Sequence, residues 1–273
     1  MGDRLRPLWD FDDLDASEQH FQAQLEVETT DAGRAEVLTQ LARVEGLRGR
    51  FDECDTFLER AEALGGAEAR VFLERGRRDR SSGAPGAGLV NFERAFAVAE
   101  ASGDEVLAVD AAHMLAIVDD AEAWTARAVG IAEASDDPGV RYWLGPLYNN
   151  IGWSRYEAGD APGALEAFEL ALVSRERDDP RPYPREIARY AVGKALRAVG
   201  RPAEAAAALE ECVAWAAAEG IEDGWFHEEL AEDYAALGRE ADAQEQARRA
   251  LELAGDDDPS RLERLRVLAN EAA

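Results

Sequence analysis

The chain has 273 residues, 30 basic against 57 acidic side chains, a formal net charge of −27, and a composition 47% hydrophobic and 32% charged. That balance is globular and long enough for a sizeable core, and a field of this sign repels nucleic-acid phosphates and anionic lipid, so neither is an expected partner. There is no run of about 18 apolar residues and no hydrophobic signal core before Asp10, so the expectation is a cytoplasmic, soluble protein without a membrane span.

Alanine dominates the apolar fraction and aromatics are 8%, which suits close-packed helices better than sheets. In chain order, Leu8, Trp9 and Phe11 form an apolar opening segment among Asp10, Asp12 and Asp13. A helix is predicted over 16–28, the second half of an incomplete helical pair at 10–30. The first full pair, 35–68, carries Ala42, Gly49, Cys54, Leu58 and Ala61 at intervals of seven, five, four and three. The next, 69–101, repeats those intervals with Gly76, Gly83, Gly88, Phe92 and Ala95. In 102–137 only the second-helix steps Ala121, Thr125 and Ala128 persist, and Asp119-Asp120 joins the helices without a glycine. A tighter turn is expected there.

The best-formed copy is 141–178, with Gly152, Gly159, Ala164, Phe168 and Ala171. The segment 178–184 then places three prolines before the fifth copy, 184–220, which should stop one helix and delay the next. That copy carries Gly193, Gly200, Ala205, Leu209 and Cys212, and the sixth, 223–256, carries Ala231, Gly238, Ala243, Ala247 and Ala250. Asp258-Pro259 reads as an N-cap with proline at the first helical position, opening a capping helix over 259–272 with Leu262, Leu265 and Leu268 on one face. Glycines at 49, 83, 159, 200 and 238 fall where one helix must stop and the next begin, a place for left-handed backbone.

Tyr148, Ile151, Gly152, Ala164 and Phe168 resemble the signature of the tetratricopeptide repeat, an aromatic, then Leu-Gly, then an Ala-x3-Phe step. The expected second tyrosine is displaced, with Arg155 at its place and Tyr156 beside it. The resemblance covers about residues 10–270 and implies an all-α solenoid of about six helix-turn-helix units in one array, with a half repeat before and a capping helix after.

Catalytic constellations are scarce. His20, His113 and His227 share no ligand spacing, and His227-Glu228-Glu229 lacks the second histidine of a helical zinc motif. The glycines at 83–88 have no Lys-Ser/Thr after them and no strand before them. Cys54 and Cys212 fit no metal spacing and fall at small packing positions. No catalytic residue, metal site or cofactor is expected.

The family resemblance implies instead a concave groove lined by first helices, which holds an extended peptide or a partner helix. The inner positions are Asn149, Trp153 and Tyr156 with Asn150 close by, then Tyr190, Lys194 and Arg197, then Glu228 and Glu232 with Trp225 one turn earlier. Asn150 matches the asparagine of the middle repeat in chaperone-binding members, and this chain has Ala191 where those members carry a flanking base. Arg70, Arg77 and Arg80 form a second candidate surface, a local reversal of sign suited to an acidic peptide or to a second copy of this chain. The expected function is a non-enzymatic adaptor for a protein or peptide partner. The alternative is a ligand-responsive regulator, a peptide sensor that releases a separate partner protein.

Overall fold

Wherever a second helix crosses its first helix, the first helix presents almost no side chain. In the computed structural model, which describes residues 3–255 and 258–270, a Cβ on Gly76 would stand 2.4 Å from the Phe92 ring, one on Gly152 2.3 Å from the Phe168 ring, and one on Gly193 2.0 Å from Leu209. Phe92, Phe168 and Leu209 are fully buried. Each large side chain of a second helix therefore fills the notch of a small residue on the first. Burial of each contributes about 1.5–3 kcal/mol, and the small residues allow interaxial distances at the low end of roughly 8–10 Å.

All the regular structure among the described residues is helical, and none of these helices is long and apolar enough to cross a membrane. Two compact units are resolved, Met1–Trp143 and Leu144–Ala273. The first unit opens with a 3-10 turn, Arg6–Leu8, and helix α1, Leu14–Val27. Three pairs follow: α2 (Asp31–Leu47) with α3 (Phe51–Leu64), α4 (Glu68–Ser81) with α5 (Pro85–Ser102), and α6 (Glu105–Val118) with α7 (Ala121–Ala134). A single helical turn, α8 (Pro138–Arg141), closes the unit; the sequence did not announce it.

The second unit holds α9 (Leu144–Glu157) with α10 (Ala161–Asp178), α11 (Pro182–Ala198) with α12 (Pro202–Glu219), and α13 (Gly224–Ala236) with α14 (Glu240–Leu253). Helix α15 (Pro259–Ala269) packs on α14, burying Leu265 and Ala269. The expected end of this helix beyond 270, and the expected repeat boundary at 256, lie outside the described residues. Within each unit, successive first helices also touch: α2 with α4 and α4 with α6, then α9 with α11, α11 with α13 and α13 with α15.

The turns follow from backbone chemistry. Gly49, Gly83, Gly159, Gly200 and Gly238 all have φ between 70° and 91°, a region in which L-residues are strained and glycine is not. The α6–α7 turn lacks glycine and is shorter: Asp119 ends α6 and Asp120 caps α7 by accepting from the Ala123 amide. Many of the excess acids serve the same purpose. Asp13, Asp104, Asp160 and Asp223 each accept a hydrogen bond from an amide in the first turn of the following helix, worth about 1 kcal/mol apiece. The proline-rich segment behaves as its residues require, α10 ending at Asp178 and α11 starting at Pro182. Cys54 and Cys212 are buried and unpaired, and burial pushes the Cys54 thiol up to about 12.

Candidate peptide-binding surfaces

In the second unit, first helices α9, α11, α13 and α15 bring their exposed edges side by side. On α9, Trp153 and Tyr156 are half-buried and packed on the cluster of Ala164, Phe168, Ala191 and Ala195. The indole meets the Phe168 ring edge-on at 5.1 Å and Tyr156 at 5.8 Å. These aromatics thus carry packing between helices as well as surface. Asn149 is half-buried and Asn150 exposed, and neither amide side chain hydrogen-bonds to another of the described residues.

The charged positions differ. Lys194 and Arg197 on α11 both reach the carboxylate of Glu229 on α13, Lys194 Nζ at 2.5 Å from Oε1 and Arg197 at Oε2. Arg197 also donates to the Glu229 carbonyl at 3.1 Å and to Asp233 Oδ1 at 2.7 Å. Glu229 is 2% exposed and Asp233 is fully buried. Burial pushes the Glu229 carboxyl up, but Arg197 and Lys194 together hold it below the ordinary range. One helix further, Glu228 receives Arg261 at 2.5 Å and also Arg264, which lies 3.2 Å from Glu232. Trp225 lies exposed with the Arg261 guanidinium 3.6 Å above its ring. Tyr190 is half-buried, 5.9 Å from the Phe226 ring; burial, then Glu229 and Glu228, raise its hydroxyl pKa.

Asp233 makes this network pH-sensitive. Its Oδ2 is buried without a partner, and burial lifts the carboxyl from an ordinary 3.8 to about 6, against the pull of Arg197. A carboxyl whose folded pKa exceeds its unfolded one costs stability when ionised, so the cost is full above pH 6 and is relieved as the pH falls towards 4. Asp233→Asn removes this titration. The stability of the variant relative to the parent should be about 2 kcal/mol more favourable at pH 7.5 than at pH 4, as urea unfolding at the two pH values will report.

In the first unit, Arg70, Arg77 and Arg80 all lie on α4, and two of them are engaged within the chain. Arg70, 9% exposed, holds Asp3 at 2.9 Å. Arg77 sits between Glu74 of its own helix and Asp110 of α6; burial lowers its pKa, but the two carboxylates together hold it above the ordinary value. Arg80 is exposed and makes no ion pair among the described residues. With Arg43, Arg77 and Arg78 it edges a cavity of about 200 Å³ lined also by Ala42, Cys54 and Met114.

Among solved structures, the chain is similar to a signal-transduction ATPase with a tetratricopeptide-repeat sensor from Pyrococcus horikoshii, at 15% identity and a TM-score of 0.61 over 97% of this chain and 43% of that one. The apo form of the quorum sensor NprR from B. thuringiensis matches at 12% identity and a TM-score of 0.57 over 97% of this chain and 83% of that one. The fold is that of the tetratricopeptide-repeat solenoid. A third similarity, to the APC/C hetero-tetramer Cut9-Hcn1, has 12% identity and a TM-score of 0.55 over 92% of this chain and 48% of that one. This chain therefore spans less than half of the ATPase and of the Cut9-Hcn1 chain. No family model matches the sequence, and no curated protein does.

In tetratricopeptide-repeat register, three ion pairs between successive first helices share an offset that sequence reading missed. A cation one residue after the small packing position of a first helix reaches an acid two residues before the small position of the next. Arg43, after Ala42, lies 3.5 Å from Glu74, before Gly76; Arg77, after Gly76, pairs with Asp110, before Ala112; Lys194, after Gly193, pairs with Glu229, before Ala231. The signal was present as a recurring base-acid offset, diluted by carboxylates everywhere else. Helix α9 departs from this offset: Asn150 takes the acid's place, and Trp153 takes the cation's and packs on the cluster containing Ala191.

Proposed function

We propose that the chain is a non-enzymatic adaptor that holds an extended partner segment on the first-helix face of α9 and α11. The observation that carries this reading is the amide of Asn150, two residues before Gly152 and exposed. The counterpart amide in the first unit, Gln40, two residues before Ala42, accepts a hydrogen bond from the Trp9 indole at 2.8 Å. An amide at this position can thus take a donor from a segment laid across the helix, and Asn149 and Asn150 together offer both donors and acceptors to a peptide backbone. Trp153 and Tyr156 supply adjoining apolar surface, Tyr190 an aromatic edge on the next helix. The prepositioned helices limit the ordering cost of binding to the partner.

Because Lys194 and Arg197 are tied to Glu229 and Asp233, their substitution would disturb packing, and the asparagines provide the cleaner test. Asn149→Ala/Asn150→Ala, with alanine favourable in a helix, is expected to leave the melting temperature unchanged. Loss of two hydrogen bonds at about 0.5–1.5 kcal/mol each should lower retention of the specific partner roughly fivefold or more. Quantitative affinity capture from the native lysate, at equal bait loading, compares the two proteins. Recovery of the same partners at the same yield would overturn the assignment of this face.

A further inference from the structure

Residues 3–13 precede the first helix with only one 3-10 turn among them, Arg6–Leu8, and are held to the first unit chiefly by side chains. Asp3 accepts from Arg70 on α4 at 3.0 Å. Trp9 donates to Gln40 on α2 at 2.8 Å, its ring stacked on Phe11 and capped by the Arg43 guanidinium at 5.7 Å. Arg6 lies 4.0 Å over the Tyr142 ring, and Leu5, 1% exposed, inserts among Val37, Leu38 and Leu41. The segment thus crosses α2 and α4 on their first-helix face.

Two features set this segment apart from a simple hydrophobic cap. Arg70 and Gln40 are buried polar side chains on first helices, 9% and 5% exposed. Both take their longest-range partners from the segment, Asp3 and Trp9. A core with no ligand to hold has little use for such groups, since unpaired they cost free energy. The fit is also incomplete: between the segment and the helices lies a cavity of about 80 Å³, lined by Arg6 and Trp9 on one side and by Arg43, Leu73, Arg77 and Leu107 on the other. Interdigitated cores leave few voids of this kind.

We propose that residues 3–11 are an internal ligand: they occupy a peptide-binding face on α2 and α4, and a partner segment that takes up the same 3-10 turn, carrying a carboxylate and a tryptophan at the spacing of Asp3 and Trp9, competes with them for it. The carboxylate goes to Arg70, the indole N–H to Gln40, and an aliphatic side chain between them to the Leu5 position. This site lies in the first unit and does not depend on the α9–α11 reading; either can fail while the other stands.

The test uses the full chain and a fluorescein-labelled peptide of residues 3–13, with anisotropy as the readout. A tethered segment competes at an effective concentration of order millimolar, so the parent should bind the peptide weakly. The full-chain variant Asp3→Asn/Trp9→Ala should bind it at least tenfold more tightly. A peptide bearing the same two substitutions should not bind the variant, and adding Gln40→Leu to the variant should abolish the gain. A variant that melts cooperatively yet binds no more tightly than the parent overturns the proposal. So does a variant that loses its cooperative melt, unless Asp3→Asn alone, which leaves Leu5 and Trp9 in place, melts like the parent and binds about threefold more tightly. Light scattering on the parent gives the last arm: a doubled mass that returns to the monomer value in the variant would mean that the segment serves a second copy of this chain, and would overturn the proposal.

Discussion

Glu229→Ala is expected to lower the unfolding free energy by about 3–5 kcal/mol. The carboxylate is 2% exposed and is shared by Lys194 and Arg197 from the neighbouring first helix. Its removal leaves a half-buried ammonium with no counter-ion and a guanidinium resting on Asp233 alone. Attraction in the intact pair largely offsets the desolvation of its members, so the cost arises from breaking it rather than from lacking it. Lys194→Met/Glu229→Met should therefore recover most of the loss, with Arg197 still bound to Asp233. Urea midpoints by circular dichroism for the parent, the single variant and the double variant decide the matter. A Glu229→Ala variant within about 1 kcal/mol of the parent would mean that water reaches these cations and that the network is superficial.

Phe168→Ala should cost about 3–5 kcal/mol, because the ring is fully buried in the notch over Gly152. Gly152→Ala alone should cost roughly 1–3 kcal/mol by overpacking, since the new methyl would meet the ring at 2.3 Å. The two changes should not add. With the ring gone, alanine at 152 meets no ring and brings about 1 kcal/mol of helix propensity, so Gly152→Ala should turn from destabilising to neutral or stabilising in the Phe168→Ala background. A double-mutant cycle with an interaction energy below about 0.5 kcal/mol would show that Gly152 is small for some other reason.

The fold was legible because its determinants are local and periodic. Glycine at 49, 83, 159, 200 and 238 announces the turns without reference to anything distant, and each has the positive φ that its place requires. Asp119-Asp120 likewise announces a turn of another kind. The short α8 carries too little periodicity to be seen. The candidate surfaces were less legible because their chemistry is decided between helices. Lys194 and Arg197 read as inner positions of the groove until Glu229 and Asp233, over thirty residues on, are brought against them. Arg70 read as available until Asp3 closed on it across 67 residues of sequence. Asn149 and Asn150 meet no side-chain hydrogen-bond partner among the described residues, so no contact between helices redirects their amides. Trp153 and Tyr156 stand at inner positions suited to a partner, yet their rings also fill the space beside Phe168.

The base-to-acid offset between successive first helices has a genetic corollary. A repeat such as α4–α5 presents Glu74 to the helix behind it and Arg77 to the helix ahead. If the stretch of gene encoding it were duplicated in frame, the added copy would meet an acid with a base on one side and a base with an acid on the other, so an array of this kind can lengthen without stranding a charge. The α9–α10 repeat has neither end of that coupling. Its copies would stack an indole against an amide, and in this chain it remains a unit whose neighbours must be made to suit it.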